Sequence, residues 1–310
     1  MNKISMFSVY KKLGNYFKFV PLIETNLNLI EPNLYLGSRP TVDAIDLLKK
    51  YNITHILTCE EMPLAEEMEK NGNFTMKCLL LEDEPTEDLL RHLEDCYSFI
   101  SEGLSKGAVL VHCFGGISRS ASVVIGFIMK KHQLTYDEAF NRVQQARYNI
   151  DPNPGFVFQL KMYRKMGYEV DAMNIDYKIF KIEKVAYYVR PIHAVLQENM
   201  NIIEDDPELE ELGMKSNAYS CKKCKRILVK GSNLIPHEHE GEICTKSYFV
   251  MPVAWMNVTN SIESELHCPR CKSDVGWFNW IGGIGCQCGA KQVPGFCLKP
   301  SEVDFVAPSK

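Results

Sequence analysis

Apolar and polar positions change period several times along the first half of the chain. Asn33-Leu34-Tyr35-Leu36-Gly37, Ile53-Thr54-His55-Ile56-Leu57-Thr58 and the run from Phe74 to Leu81 are short and rich in β-branched or large apolar residues, the pattern of strands. Val42 to Tyr51 and Thr86 to Leu104 read as helices, the first with Thr41 as its cap. Gly107-Ala108-Val109-Leu110-Val111 is uncharged throughout, as expected of a strand covered on both faces of a parallel sheet. From Ser120 to Lys131 the apolar residues Val123, Val124, Phe127 and Ile128 recur at helical spacing, and Lys130 and Lys131 suit the negative end of a helix dipole. Thr135-Tyr136-Asp137-Glu138 is a capping box opening a helix to about Tyr148, and Asn153-Pro154 places a cap and a first-turn proline before another. Strands alternating with helices predict an α/β domain, a central sheet flanked by helices.

The segment between the uncharged strand and the helix that follows carries the chemistry. His112-Cys113-Phe114-Gly115-Gly116-Ile117-Ser118-Arg119-Ser120 is a strand-to-helix loop, so its free backbone N–H groups and the positive end of the helix face one cavity. Gly115 and Gly116 let the backbone turn and approach closely. A thiol at such a place, beside a cation, gives up its proton readily, which suits Cys113 to nucleophilic attack. Arg119 has the planar fork of donors that clamps two phosphate oxygens. His112 is expected to orient the loop rather than act as a base, and the Ser120 hydroxyl to stabilise the sulfur as it leaves. The backbone of Phe114, Gly115, Gly116, Ile117, Ser118 and Arg119 would then hold the phosphate.

The signature H-C-x-x-G-x-x-R-S, with Gly116 at its central glycine, resembles the protein tyrosine phosphatase superfamily, and the short domain around it resembles the dual-specificity branch. The resemblance implies a phosphocysteine mechanism with an aspartate on a separate loop as general acid. Leu79-Leu80-Leu81-Glu82-Asp83-Glu84-Pro85 follows an apolar strand, and Asp83 falls at the position that the family uses. It also implies a shallow pocket, since no aromatic pocket-deepening insertion fits between residue 29 and Cys113. Phosphotyrosine, phosphoserine and phosphothreonine are therefore all expected substrates.

The phosphatase-like part ends near residue 170, which leaves room for a second domain. Residues 1–28 form an N-terminal extension, 29–170 the phosphatase domain, 171–216 a helical and acidic linker, 217–300 a zinc-binding domain and 301–310 a tail. In the linker, Tyr177 to Val189 reads as a helix, and the run Glu204-Asp205-Asp206-Pro207-Glu208-Leu209-Glu210-Glu211 as a solvated linker or exposed helix with no function of its own. Of the 12 cysteines, the eight after residue 220 are Cys221, Cys224, Cys244, Cys268, Cys271, Cys286, Cys288 and Cys297. Met1 to Val20 has scattered lysines and no continuous apolar core, so a reducing compartment is expected and the paired cysteines read as zinc ligands. Two tetrahedral ions need eight ligands. Seven cysteines, omitting Cys297, leave one place for His237 or His239. The expected grouping is Cys221, Cys224, His237 and Cys244 in one site and Cys268, Cys271, Cys286 and Cys288 in the other. Such closed sites leave no position for water, so both Zn2+ ions are expected to be structural, the staple of a small β-rich domain, with no metal needed for catalysis.

A phosphatase domain joined to this zinc domain, with Gly276-Trp277-Phe278-Asn279-Trp280 after the second CxxC, resembles one group within the dual-specificity family. That resemblance favours His237 as the histidine ligand. It implies phosphorylated protein substrates, a place in the cytoplasm and nucleus, and a part in large-subunit ribosome biogenesis carried by the zinc domain; the alternative reading is an assembly factor that binds pre-ribosomal particles through that domain, with catalysis dispensable. The basic cluster Lys222, Lys223, Lys225, Arg226 and Lys230 could touch RNA phosphates. A net charge of −4 and a pI near 6.1 argue against general nucleic-acid binding. No membrane partner and no sequence-specific DNA are expected.

Overall fold

The computed structural model describes residues 26–192, 202–209 and 216–308, and the chain divides into two units, Met1–Val170 and Asp171–Lys310. The first unit is built on a five-stranded sheet. β1 (Leu27–Glu31) forms an antiparallel hairpin with β2 (Leu34–Ser38), and β3 (Ile53–Cys59), β4 (Thr75–Leu79) and β5 (Ala108–Cys113) complete it in the order β1-β2-β5-β3-β4. β2, β5, β3 and β4 run parallel to one another, and every residue of the central β5 is buried. That is why this strand lacks the alternation of a half-exposed one. The strand at Leu27–Glu31 lies partly inside the segment read as an extension; residues 1–25 are outside those described.

The helices are α1 (Ile45–Lys50), α2 (Glu66–Gly72), α3 (Leu90–Lys106), α4 (Arg119–His132), α5 (Tyr136–Ala146) and α6 (Pro154–Lys165). α4 is buried from Arg119 through Met129, because its polar positions are the small Ser120 and Ser122 and its apolar ones surround it. The capping box at Thr135 and Glu138 is formed, and Asn153 accepts from Phe156 N–H with Pro154 at the first helical position. Two starts differ from the sequence reading. Thr41 makes no side-chain cap bond, and the first turn of its segment is a separate 3-10 turn, Val42–Ala44. The helix expected from Thr86 begins at Leu90. Its opening N–H groups, those of Leu89 and Leu90, are taken by Gln159 Oε1 of α6 at 2.8 and 3.3 Å, so a tertiary partner adds to the local bond from Arg91 N–H to Asp88 Oδ1 at 3.2 Å.

The far end of α4 is also held from outside. Glu31, whose side chain is 3% exposed, receives Lys131 Nζ and His132 Nε2 at 2.7 Å each and Arg142 Nη2 at 2.5 Å. Cations at a helix C-terminus already suit the dipole, and the buried carboxylate fixes them there.

In the second unit α7 (Ile175–Ile192) lays Ile182, Val185, Ala186 and Val189 into a core shared with Ile202, Val253, Trp280 and Phe296. Around that core are a four-stranded antiparallel sheet (Tyr248–Phe249, Gly295–Leu298, Asp274–Asn279, Glu263–His267) and a three-stranded one (Val303–Val306, Ala218–Cys221, Ile227–Lys230). Trp255 and Trp280 are buried with their indole N–H groups on Leu228 O and Val258 O. The acidic run read as solvated is engaged over its described part. Glu204 meets the buried Lys178 at 2.8 Å, Asp206 pairs with Arg226, and Glu208 accepts from Arg270 and from Ile227 N–H. Glu210 and Glu211 lie outside the described residues. Among the described residues no helix is long and apolar enough to cross a membrane.

Burial alone would raise the pKa of Glu31, but its contacts with Lys131 and His132 outweigh burial and hold it below the ordinary 4.5. A carboxylate depressed in the folded state stabilises above its unfolded pKa and loses that contribution as pH falls through its folded value. Glu31→Gln is therefore expected to lower stability by about 1–3 kcal/mol near neutrality. In chemical denaturation the gap from wild type should close below pH 4.5, and a gap independent of pH would contradict the ion-pair role.

Candidate active site and metal centres

The loop from Cys113 to Arg119 closes at the C-terminal edge of the sheet, between the central strand and the buried helix. All five carbonyls from Phe114 to Ser118 are taken from outside it. Phe114 O accepts from Arg39 N–H at 3.2 Å, Ile117 O from Asp151 N–H at 2.9 Å and Ser118 O from Ser122 N–H at 2.8 Å. Arg147 takes the middle pair, Nη2 on Gly115 O at 2.9 Å and Nε on Gly116 O at 2.8 Å. A planar trans peptide points its N–H opposite its carbonyl, so the N–H groups of Gly115 through Arg119 turn inward. The two glycines differ. Gly116 has φ +67°, and a Cβ there would lie 2.4 Å from Gly37 O, so only glycine fits; a Cβ on Gly115 would meet nothing closer than 3.3 Å.

Cys113 is 3% exposed, and its Sγ accepts from Gly116 N–H and from Ser120 Oγ, both at 3.2 Å. Both protons of Arg119 Nη1 are used, on Glu61 Oε2 at 3.0 Å and Leu81 O at 3.3 Å. Its buried Nε has no hydrogen-bond partner in the structure, which leaves one donor of this cation available to an anion. Burial alone would lower the pKa of Arg119; Cys113, Glu61 and Asp83 outweigh burial and hold it above its ordinary range. Thus the floor offers a nucleophilic sulfur, converging N–H groups and a fixed cation, an arrangement suited to a tetrahedral oxyanion.

Asp83 reaches this floor. Its Oδ1 accepts from Ser118 Oγ at 2.6 Å and Asn153 Nδ2 at 2.9 Å, and its Oδ2 lies 3.9 Å from Arg119 Nε. Glu82 and Glu84 make no such contacts among the bonds of the loop. The first turn of α6 carries this placement, since a Cβ on Gly155 would fall 1.9 Å from Pro85 O and Gln159 Nε2 donates to Glu87 O. His112 is fully buried behind the loop, with Nε2 2.9 Å from Thr58 Oγ1 and Nδ1 3.5 Å from Glu60 Oε1. Burial lowers its pKa despite Glu60, which suits an orienting group.

Arg147, Glu61, Glu60 and Arg39 are absent from the sequence reading. Arg147 ends an amphipathic helix and binds backbone carbonyls, which leave no mark in a sequence. Glu60 and Glu61 had a readable signal: both follow a buried parallel strand, at the sheet edge where sites collect.

The second unit holds two ligand clusters, Cys221, Cys224, Cys268 and Cys271, and His237, Cys244, Cys286 and Cys288, in each of which the ligand atoms lie within 4.8 Å of one another. The eight residues are those expected, with His237 rather than His239, but the grouping is corrected. The turns at Cys221–Lys225 and Cys268–Lys272 have the same bonds, N–H of the fifth residue to the first carbonyl, and face each other. Cys221 Sγ is 3.6 Å from Cys271 Sγ and Cys224 Sγ 3.5 Å from Cys268 Sγ. His237 and Cys244 stay together because the hairpin between them joins Cys244 N–H to His237 O at 2.9 Å, and Cys286 Sγ lies 3.8 Å from Cys244 Sγ. Sulfurs about 3.8 Å apart form the edge of a tetrahedron with metal–sulfur bonds near 2.3 Å. His237 Nε2 is buried with no hydrogen-bond partner in the structure, as a ligand nitrogen would be. Cys297 belongs to neither cluster and is buried within its strand.

The family model for the dual specificity phosphatase catalytic domain matches residues 34–166. The chain is 35% identical over 303 residues to Dual specificity protein phosphatase 12 of Mus musculus, covering 89% of this chain and 87% of that protein. It is 29% identical over 339 residues to Dual specificity protein phosphatase MPK-4 of Drosophila melanogaster, covering 90% and 88%. Tyrosine-protein phosphatase YVH1 of Saccharomyces cerevisiae is 26% identical over 337 residues, covering 91% and 92%. The likeness thus extends well beyond the residues that the family model matches.

Removing Arg147 should relax the loop and with it the anion site. Arg147→Ala is expected to weaken the binding of inorganic tungstate, measured by calorimetry, by about 10- to 100-fold. Arg147→Lys should recover little, because one ammonium cannot span both carbonyls. Unchanged tungstate affinity in Arg147→Ala would contradict the role.

Proposed function

This chain belongs to the dual specificity phosphatase family and is a protein phosphatase, and we propose that it hydrolyses phosphotyrosine, phosphoserine and phosphothreonine through a phosphocysteine on Cys113. The observation that carries the mechanism is the convergence on one floor of Cys113 Sγ, the unpartnered Arg119 Nε and Asp83. The thiolate of Cys113 attacks phosphorus; the S–P bond forms as the P–O bond breaks, and protonated Asp83 gives its proton to the leaving oxygen. The inward N–H groups and Arg119 hold the phosphoryl oxygens throughout. In the second step Asp83, now a carboxylate, takes a proton from water as that water attacks phosphorus. The S–P bond breaks, Ser120 Oγ stabilises the departing sulfur, and inorganic phosphate leaves.

The two clusters of the second unit are read as structural Zn2+ sites, one of four cysteines and one of three cysteines with His237. Bound zinc would supply cross-links that the small core needs, with no place for a reacting water. A second reading, assembly of pre-ribosomal particles through this unit in the cytoplasm and nucleus, draws support from the exposed Lys222 and Lys223. It is weakened by Lys225 and Arg226, which Asp304 and Asp206 occupy.

Cys113→Ser should abolish turnover of an aryl phosphate, and Asp83→Ala should lower kcat by about 10^2- to 10^4-fold, with Glu82→Ala and Glu84→Ala far less affected. Equal losses in all three acidic variants would remove Asp83 from its role. If Cys113→Ser still supports ribosome assembly in cells, the second reading stands apart from catalysis. Native mass spectrometry should find two zinc ions per chain, and Cys221→Ser/Cys271→Ser should lose one. Loss of both in that variant would restore the sequential grouping.

A further inference from the structure

The floor and the mouth of the site carry opposite character. On the floor the cations are sunk: Arg119 is 8% exposed and Arg147 2%, and both are held by carboxylate or carbonyl oxygens. At the mouth stand large apolar side chains. Phe114 and Ile117 project from the phosphate loop itself, 56% and 39% exposed. Met62, 70% exposed, flanks the same arginine as Phe114, since Arg39 donates to both Met62 O and Phe114 O. Arg39 between Met62 and Phe114 is paired with the buried Glu60 at 2.9 Å, and the exposed acids nearby are Glu61, more than half exposed on Arg119, and Glu82 next to Asp83.

We propose that this apolar and acidic mouth selects phosphoprotein segments that carry a single phosphate flanked by large apolar and basic residues. It acts against segments with acidic neighbours or a second phosphate close by. The inference deepens the phosphatase reading above and rests on it. The phosphate is drawn to the buried cations, while its neighbours meet only the mouth. An apolar neighbour covers Met62, Phe114 or Ile117 and removes apolar surface from water. A carboxylate or second phosphate instead meets Glu61 and Glu82 at short range, where like charges repel and salt screens them.

The test compares three phosphotyrosine peptides of equal length, one flanked by Leu and Lys, one by Glu, and one bearing a second phosphotyrosine nearby, beside para-nitrophenyl phosphate. At low salt kcat/KM for the first should exceed that for the other two by about tenfold, the size of effect that partial burial of one large apolar side chain gives. The gap should narrow as salt rises towards about 0.5 M, where charge repulsion is screened. Met62→Lys/Glu82→Lys should raise turnover of the Glu-flanked peptide and leave that of para-nitrophenyl phosphate unchanged. Equal rates on the three peptides, or a preference for the acidic or doubly phosphorylated one, would overturn the inference while para-nitrophenyl phosphate is still hydrolysed. Failure to hydrolyse para-nitrophenyl phosphate would instead overturn the phosphatase reading.

Discussion

A loop can present its peptide N–H groups to an anion only if the carbonyls on the opposite side of each peptide plane find partners elsewhere. Here five consecutive carbonyls do so, and the partners come from four separate places in the first unit: the end of β2, the helix α4 itself, Arg147 after α5, and the backbone before α6. Each unmet carbonyl in so buried a place would cost roughly 1–3 kcal/mol. The geometry of the loop is therefore a property of the whole sheet and its helices rather than of nine residues. Burial of α4 fixes where the loop ends, and the central position of β5 fixes where it begins.

The acidic segment depends on the same frame. Asp83 sits on a stretch with no regular structure, yet α6 holds it through Asn153, Gly155 and Gln159. The bond from Ser118 Oγ to Asp83, with Asn153 N–H on the same hydroxyl, joins acid, loop and helix cap in one contact set. The N-terminal half of α6 and its cap thus position Asp83 relative to the sulfur. The second unit reaches order differently: its strands are short, and its turns bring eight Cys and His side chains together in two four-residue clusters.

Much of this was legible in the sequence where the signal is local. The uncharged strand, the Cys113-to-Arg119 loop, the capping box at Thr135 and the Asn153-Pro154 start are each written in neighbouring residues. What the sequence hid is what is contributed from a distance. The start of α3 moved from Thr86 to Leu90 because Gln159, some seventy positions away, supplies the cap. Arg147 was invisible because the loop oxygens that it holds are backbone carbonyls, and its other partners, Asn26 and Asn28, lie some 120 positions away. Seven of the eight clustered residues could be named from their spacing, but not their grouping, since two alike turns face each other only in the folded unit.

The central claim is that this N–H-lined loop makes Cys113 the group that takes the phosphoryl. The most direct measurement is an acid quench on the millisecond scale during turnover of a peptide labelled on its phosphate, followed by peptide mapping. The label is expected on the peptide containing Cys113, appearing before free phosphate. Free phosphate without any labelled Cys113 peptide, or label on another residue, would contradict it.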